Sequence, residues 1–291
     1  MKNKGLHIEI LGSTLNDVFH TLTYPAYRSL LTDPRPSLLR VGVRDANDNP
    51  IGLALAMEGP EPQWELLSLY IMSWYRSEQL ENQLLEIMQS EMLKRRRTQG
   101  CHFYTIDKED YRRAKRLIDC GWSKPIVRQM MCYCSVERAM QTPWLTRSRL
   151  SKGYQIISWD DLGCDQRRTI KGFHLSDPIN PIKKEKDRSR ETSLALLRGT
   201  EPVGWVITHQ LNPDLLRWTC SYVLSQVQST GKIFPLWLET VKRQRSKTKM
   251  TRFVWTVPLT QPRMISFALR RMQPWLTHLS YACVSTCEKH V

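Results

Sequence analysis

The chain has 291 residues, enough for two domains of ordinary size, and its 41% hydrophobic content with ten Trp excludes wholesale disorder. No run of 18 apolar residues occurs, which excludes a conventional membrane-spanning helix, and the N-terminal "MKNKGLHIEILGSTL", broken by Glu9, reads as a first strand and not a signal peptide. The net charge of +15 is uneven: residues 1–145 hold 19 Lys and Arg against 17 Asp and Glu, residues 146–291 hold 24 against 11, so the second half is expected to meet an anionic partner.

In chain order, a strand at "LHIEIL" (6–11) leads into a helical region. A hairpin follows, "LLRVGV" turning through residues 45–49 into "PIGLALAM". A third strand covers residues 64–71. "YRSEQLENQLL" (75–85) then opens a long helix, with Leu80, Leu84, Leu85, Ile87, Met88 and Met92 at helical spacing. A strand at "CHFYTID", a short helix over residues 111–120 and a strand at "RQMMCYCSV" end the first half. Pro, Ser and basic residues interrupt the periodicity at residues 141–153, which sets the expected domains at 1–145 and 146–291.

Beyond that join the order recurs: "YQIISW", a helical region, the hairpin "TSLALL" to "PVGWVITH", a strand over residues 215–224, a long helix, "TRFVWTV", a short helix over residues 263–272, and "LSYACVST". A shift of 152 residues superposes the halves without a gap. Pro50 falls on Pro202, Tyr70 and Ile71 on Tyr222 and Val223, Leu84 on Leu236, Phe103 on Trp255, and Leu117 on Leu269. One register held over so long a stretch indicates duplication.

The order and the residues resemble the GNAT acetyltransferase superfamily. That family ends its fourth strand in a pattern like L-x-V-x-P-x-[YF]-R, which "LYIMSWYR" (69–76) matches, and "CGW" (120–122) is similar to the close of its late helix. The resemblance implies an α/β fold of two tandem GNAT-like domains, each a mixed, mostly antiparallel sheet flanked by helices. It implies an N-acyltransferase carrying an acyl group from an acyl-thioester to an amine of a small molecule, peptide or protein. The donor would be acetyl-CoA, another acyl-CoA, or the phosphopantetheine of an acyl carrier protein.

The family's phosphate cradle reads [QR]-x-x-G-x-[GA]. In the first half it becomes Arg76 to Glu81, with both small positions lost and Glu78 and Glu81 placing negative charge against a pyrophosphate. The first half is therefore expected to be degenerate. In the second half Gln228, Ser229, Thr230, Gly231, Lys232 and Ile233 keep one glycine and add a cation, so this half is expected to bind the donor. By resemblance, the Val223 backbone N–H would polarise the thioester. The family's late-helix Tyr is missing from both halves, where Leu117 or Ile118 and Leu269 stand. His209 and Asp214 are the expected proton acceptors in the second half. Glu65 matches a common family base position, but in the half with the altered cradle; its counterpart is Arg217.

The eight cysteines lack zinc-finger spacing and read as buried reduced thiols of a cytoplasmic protein, with a metal site involving His290 as the alternative. The runs "KRRR" (94–97) and "KRQRSKTK" (242–249) fall about 30 Å from the N-termini of their helices and cannot grip the same phosphates. By resemblance, "KKEKDRSR" (183–190) falls in a region that borders the acceptor cleft in the family, so it is expected to help receive an acidic protein partner. The competing reading is a non-catalytic GNAT-like module binding nucleic acid or a partner protein. No RNP-type signature supports the nucleic-acid form of it.

Overall fold

A computed structural model of the chain describes residues 5–12, 17–106 and 111–289; His290 lies outside them. The first half runs β1 (His7–Ile10), β2 (Leu38–Arg44), β3 (Pro50–Glu58), β4 (Gln63–Ile71), α1 (Glu78–Lys94), β5 (Gln99–Ile106), α2 (Arg112–Asp119) and β6 (Ile126–Ser135). Short helices α3 (Val136–Gln141) and α4 (Pro143–Thr146) follow. The second half runs β7 (Tyr154–Ser158), α5 (Cys164–Gly172), β8 (Leu194–Arg198), β9 (Glu201–Asn212), β10 (Leu215–Val223) and α6 (Ser225–Gln228). It ends with α7 (Ile233–Lys247), β11 (Arg252–Pro258), α8 (Pro262–Phe267) and β12 (His278–Glu288). The helical region expected after β1 is two 3-10 turns, Asp17–Leu22 and Pro25–Leu30.

The expected domain division is corrected by the strand pairing. The compact units are residues 1–128 with 281–291, and residues 129–280. In the first unit β1, β2, β3 and β4 are antiparallel neighbours, β4 runs parallel to β5, and β5 pairs antiparallel with β12. In the second, β7 to β10 are antiparallel, β10 runs parallel to β11, and β11 pairs antiparallel with β6. Each sheet is thus completed by the last strand of the other half.

Why these segments form these elements is plain in unit one. The stripe of Leu80, Leu84, Leu85, Met88 and Met92 on α1 is fully buried against Leu39, Val41, Trp64, Leu66 and Ile71 of the sheet. The Ser77 hydroxyl caps α1 by accepting from the Leu80 N–H at 3.2 Å. The second unit has its own core around Trp159, Trp205, Ile207 and Cys220.

The 152-residue register holds for β3 with β9 and for β4 with β10, whereas the pairing relates β2 to β8 by 153 residues and β1 to β7 by 148. Gly52 faces Ile71 as Gly204 faces Val223, and both third-strand partners carry a bulge, at Leu67 in β4 and at Thr219 in β10. It then slips by one. Trp64 pairs with Gly100 while its equivalent Leu216 pairs with Phe253, so β5 and β11 are related by 153. Phe103 and Trp255, equated from sequence, are 58% and 8% exposed and so cannot share a face. His102 is the residue equivalent to Trp255. The size exchange fits: a Cβ on Gly100 would meet the Trp64 ring at 2.6 Å, whereas the smaller Leu216 faces a Phe.

Candidate donor site

In each unit the parallel pair is short and then parts. Pairing of β4 with β5 covers Gln63 to Glu65, and pairing of β10 with β11 covers Leu215 to Trp218. Beyond the bulge the outer edge of the third-strand partner has no sheet neighbour. The Met72 N–H donates to the Ile51 carbonyl, so the alternate residue Ile71 turns its own N–H and C=O away from β3 and into the cleft. Arg76 donates to that Ile71 carbonyl at 3.1 Å. The second unit repeats the device, with Leu224 bonded to Val203 and the Gln228 amide donating to the Val223 carbonyl at 3.1 Å.

The clefts differ in what fills them. In the first unit a cavity of about 430 Å³ is lined by Leu69, Ile71, Leu85 and Leu117 at an apolar end. Arg76, Arg112, Arg113 and Arg116 line it too, beside the N-terminus of α1. A volume of several hundred Å³ is that of a small-ligand pocket. Ser77 occupies the Leu80 N–H, and helix geometry leaves the Glu78 and Gln79 N–H groups without intrahelical partners. Glu78 and Glu81, which from sequence repel an anion, are held by arginines. Glu78 contacts Arg116, while Glu81 lies 3.4 Å from Arg116 and 3.7 Å from Arg76. The Arg116 guanidinium lowers the Glu78 carboxyl from its ordinary value, whereas burial raises that of Glu81. Four arginines against two acids leave the lining cationic, which the sequence pattern of the loop alone does not reveal.

In the second unit aromatic rings occupy the corresponding space. Trp237, at the position of Leu85, reaches from α7 to β10 and donates to the Ser221 hydroxyl at 2.5 Å; Ser221 stands at the position of Leu69. Phe234 and Phe267 pack against it with ring centroids 5.7 Å and 6.2 Å away. The expected cradle is also closed on itself. Thr230 N–H bonds the Val227 carbonyl, Gly231 N–H bonds that of Gln228, and the Thr230 hydroxyl donates to Val227 at 2.6 Å. Gly231 has φ +67°, a turn conformation that favours glycine without any ligand. The Lys232 ammonium bonds Ser151 and lies 5.2 Å from the Tyr154 ring centre, and Ile233 begins α7. The Ser229 side chain is exposed.

The two expected proton acceptors are also in structural use. The His209 Nε2–H donates to the Lys186 carbonyl at 2.9 Å, which leaves Nδ1 to accept from the Thr219 hydroxyl at 2.7 Å. Asp214 accepts from the Thr251 N–H and hydroxyl and from Arg252 at 2.6 Å, and these bonds hold its carboxyl below the usual range. It sits where the parallel pair begins, at the opposite end of β10 from Val223. His209 and Asp214 tie strands and loops together; they do not converge on a cleft.

Glu65 is different. It alternates with Trp64 and Leu66, which pack against α1, so its carboxyl emerges on the other face of β4. Burial raises its pKa, and its charge helps to raise that of the Tyr27 phenol in the Pro25–Leu30 turn. Glu65 is the residue that family spacing points to, in the half whose loop departs from the family's cradle.

The runs at 94–97 and 183–190 are partly neutralised within the fold, whereas in 242–249 Arg243, paired with Glu239, is the one cation with an ion pair among the described residues. Arg95 and Arg97 pair with Glu58 at 3.1 Å and 3.0 Å, Lys183 and Lys184 each lie 3.2 Å from Asp177, and Arg188 contacts Asp160. Among the described residues there is no cluster of metal-ligating side chains, and no helix is long and apolar enough to cross a membrane.

A mixed sheet with a bulged, splayed fourth strand, a helix entering at the splay, and the whole arrangement present twice is the tandem GNAT fold. The structure resembles a tandem GNAT protein from the clavulanic acid biosynthesis pathway, with a TM-score of 0.69 and 13% identity over 97% of this chain and 98% of that one. It also resembles a GCN5-related N-acetyltransferase from Sphaerobacter thermophilus, with a TM-score of 0.62 and 12% identity over 97% and 95% of the two chains. No family model matches the sequence, and no curated protein matches it.

Proposed function

We propose that the chain is a GNAT-type N-acyltransferase whose first unit binds the acyl-thioester donor, acetyl-CoA or another acyl-CoA. This reverses the division of labour expected from sequence. The observation that carries it is the cationic cavity between the parted strands β4 and β5, set against an aromatic-filled cleft in the second unit. The fit rests on the four arginines and the open first turn of α1 for the phosphates, and on the apolar end for the arm.

When bound, the donor supplies an activated acyl carbon. The Ile71 N–H, facing the cleft, would polarise its carbonyl, in the role expected of Val223. Glu65, on the opposite face of β4, would take the proton that the attacking amine sheds. Its raised pKa suits that task, since a carboxyl nearer neutrality is a better base than an exposed one. Positioning of amine and thioester on either side of the splay would supply much of the acceleration.

Calorimetric titration with CoA tests the reading. One site per chain is expected, with affinity lowered at least about tenfold in Arg113→Glu and unchanged in Gly231→Ala. Two sites, or loss of affinity in the Gly231 variant alone, would return the donor to the second unit.

A further inference from the structure

One polar atom in the cavity is used by neither the fold nor the chemistry above. His102 on β5 is 2% exposed and lines the cavity. Its Nδ1 lies 2.5 Å from the Leu66 carbonyl oxygen. A carbonyl only accepts, so Nδ1 carries the proton and Nε2 is left with a bare lone pair. Among the described residues that Nε2 has no partner. The ring is not at liberty to turn and find one. Tyr104 stacks on it with centroids 5.1 Å apart and planes 14° apart, and the Tyr104 hydroxyl is itself hydrogen-bonded to Ser285 at 2.9 Å.

A buried acceptor without a donor is destabilising. The second unit, where aromatic rings fill the cleft, has Trp255 at this position, whose indole Nε1–H is likewise buried without a partner but is a donor and not an acceptor. In the first unit the unmatched group is an acceptor, on a residue that lines the open cavity. The aliphatic lining beside it, Leu69, Ile71, Leu85 and Leu117, offers no N–H or O–H side chain to satisfy it. Arg113 stands close enough for its charge to disfavour a protonated ring, and burial does so more strongly. The imidazole is thus neutral and too weakly basic to remove a proton from an amine. What remains to it is to receive a hydrogen bond from something that enters.

We propose that His102 is a specificity-determining residue whose Nε2 accepts a hydrogen bond from an amide N–H on the arm of the donor. It would thereby favour thioesters carried on an amide-bearing arm over the phosphorylated nucleotide alone. The inference rests on the donor cavity proposed above and adds the group that reads the arm. Thioesters whose carrier arm lacks an amide N–H would lose this contact.

The test separates arm from nucleotide. CoA and adenosine 3′,5′-bisphosphate, which lacks the arm, are titrated into the wild type and into His102→Phe, which keeps a planar ring and removes the acceptor. Affinity for CoA should fall about tenfold and that for the bisphosphate should not change. In the wild-type protein, the ¹⁵N resonance of His102 Nε2 should move on adding CoA and stay in place on adding the bisphosphate. This second measurement decides the matter even where the variant fails to fold. An unmoved Nε2 resonance with CoA bound, or equal losses for both ligands, would overturn the role of His102 and leave the donor cavity standing. No CoA binding, or binding indifferent to Arg113→Glu, would overturn the cavity and this inference with it.

Discussion

Lowering the pH offers a direct test of how His102 is held, independent of any ligand. In the folded chain burial pushes its imidazole from an ordinary 6.5 down to about 4. Below pH 6.5 the unfolded chain binds a proton that the folded one refuses, so the unfolding free energy rises with pH across this interval. The contribution is fully present above pH 6.5 and is lost as pH falls through the window to about 4. A difference of about 2.5 pH units corresponds to roughly 3 kcal/mol, a substantial part of the stability of an ordinary domain. Because the side chain is 2% exposed, solvent screening takes little from that figure. Native-state hydrogen exchange at β4 and β5 amides, measured from pH 7 to 4, reports the local opening free energy. Other groups titrate in the same range, so the quantity of interest is the difference from His102→Phe, whose opening free energy should lack this component of the slope. Parallel pH profiles for the two proteins, or a folded-state His102 titrating near 6.5, would refute the description of a neutral, desolvated ring.

Three further outcomes follow from other parts of the molecule. Fragments 1–145 and 146–291 should be insoluble when expressed separately and should copurify when expressed together, because each holds the strand that completes the other's unit; two soluble, folded fragments would contradict the pairing of β12 with β5 and β6 with β11. Glu78→Gln should tighten CoA binding a few-fold by releasing Arg116, and weaker binding would show that the carboxylate is no competitor for the phosphates. Cys164, the exposed thiol, should react first with a thiol reagent, whereas Cys132, raised by burial to about 12, and Cys134, Cys220 and Cys287, raised to about 11, should react after unfolding; rapid modification of these four would contradict their burial.

Much of the fold is written in local patterns. The duplication is readable because period-2 strands and a period-3.6 helix recur in register, and the positions Arg76 and Gln228 even bend back on equivalent carbonyls. The strand exchange is not readable. "RQMMCYCSV" and "LSYACVST" share the same alternation and buried Cys, and nothing local tells either strand which sheet to join. The one-residue slip at β5 was hidden for a related reason: a gapless alignment puts Phe103 on Trp255 by likeness of side chain, while the facing pair Trp64 and Gly100 fixes the true register by volume. The charge of the cleft is not readable either, because sequence orders acids and bases along the chain, whereas Arg116, 38 residues from Glu78, meets it in space.

The two units also show how one frame arrives at opposite states of the same cleft. The backbone features are kept in both: the bulge, the short parallel pair, and the side chain turned back on the splayed strand. What changes is a few side chains at equivalent positions. Leu85 becomes Trp237, Leu69 becomes Ser221, and His102 becomes Trp255. The first two changes act together, since the indole needs a hydrogen-bond acceptor once buried, and Ser221 supplies it where a Leu could not. Filling the cleft adds apolar contact to the second unit, where the unpaired imidazole acceptor of the first gives way to an unpaired indole donor. The first unit retains a void and an unsatisfied imidazole, both of which weaken a fold that has no ligand to put there. Under the proposed function, the cavity lined by four arginines, with a bare lone pair at its apolar end, is the part of this chain where that cost in stability would have a chemical use.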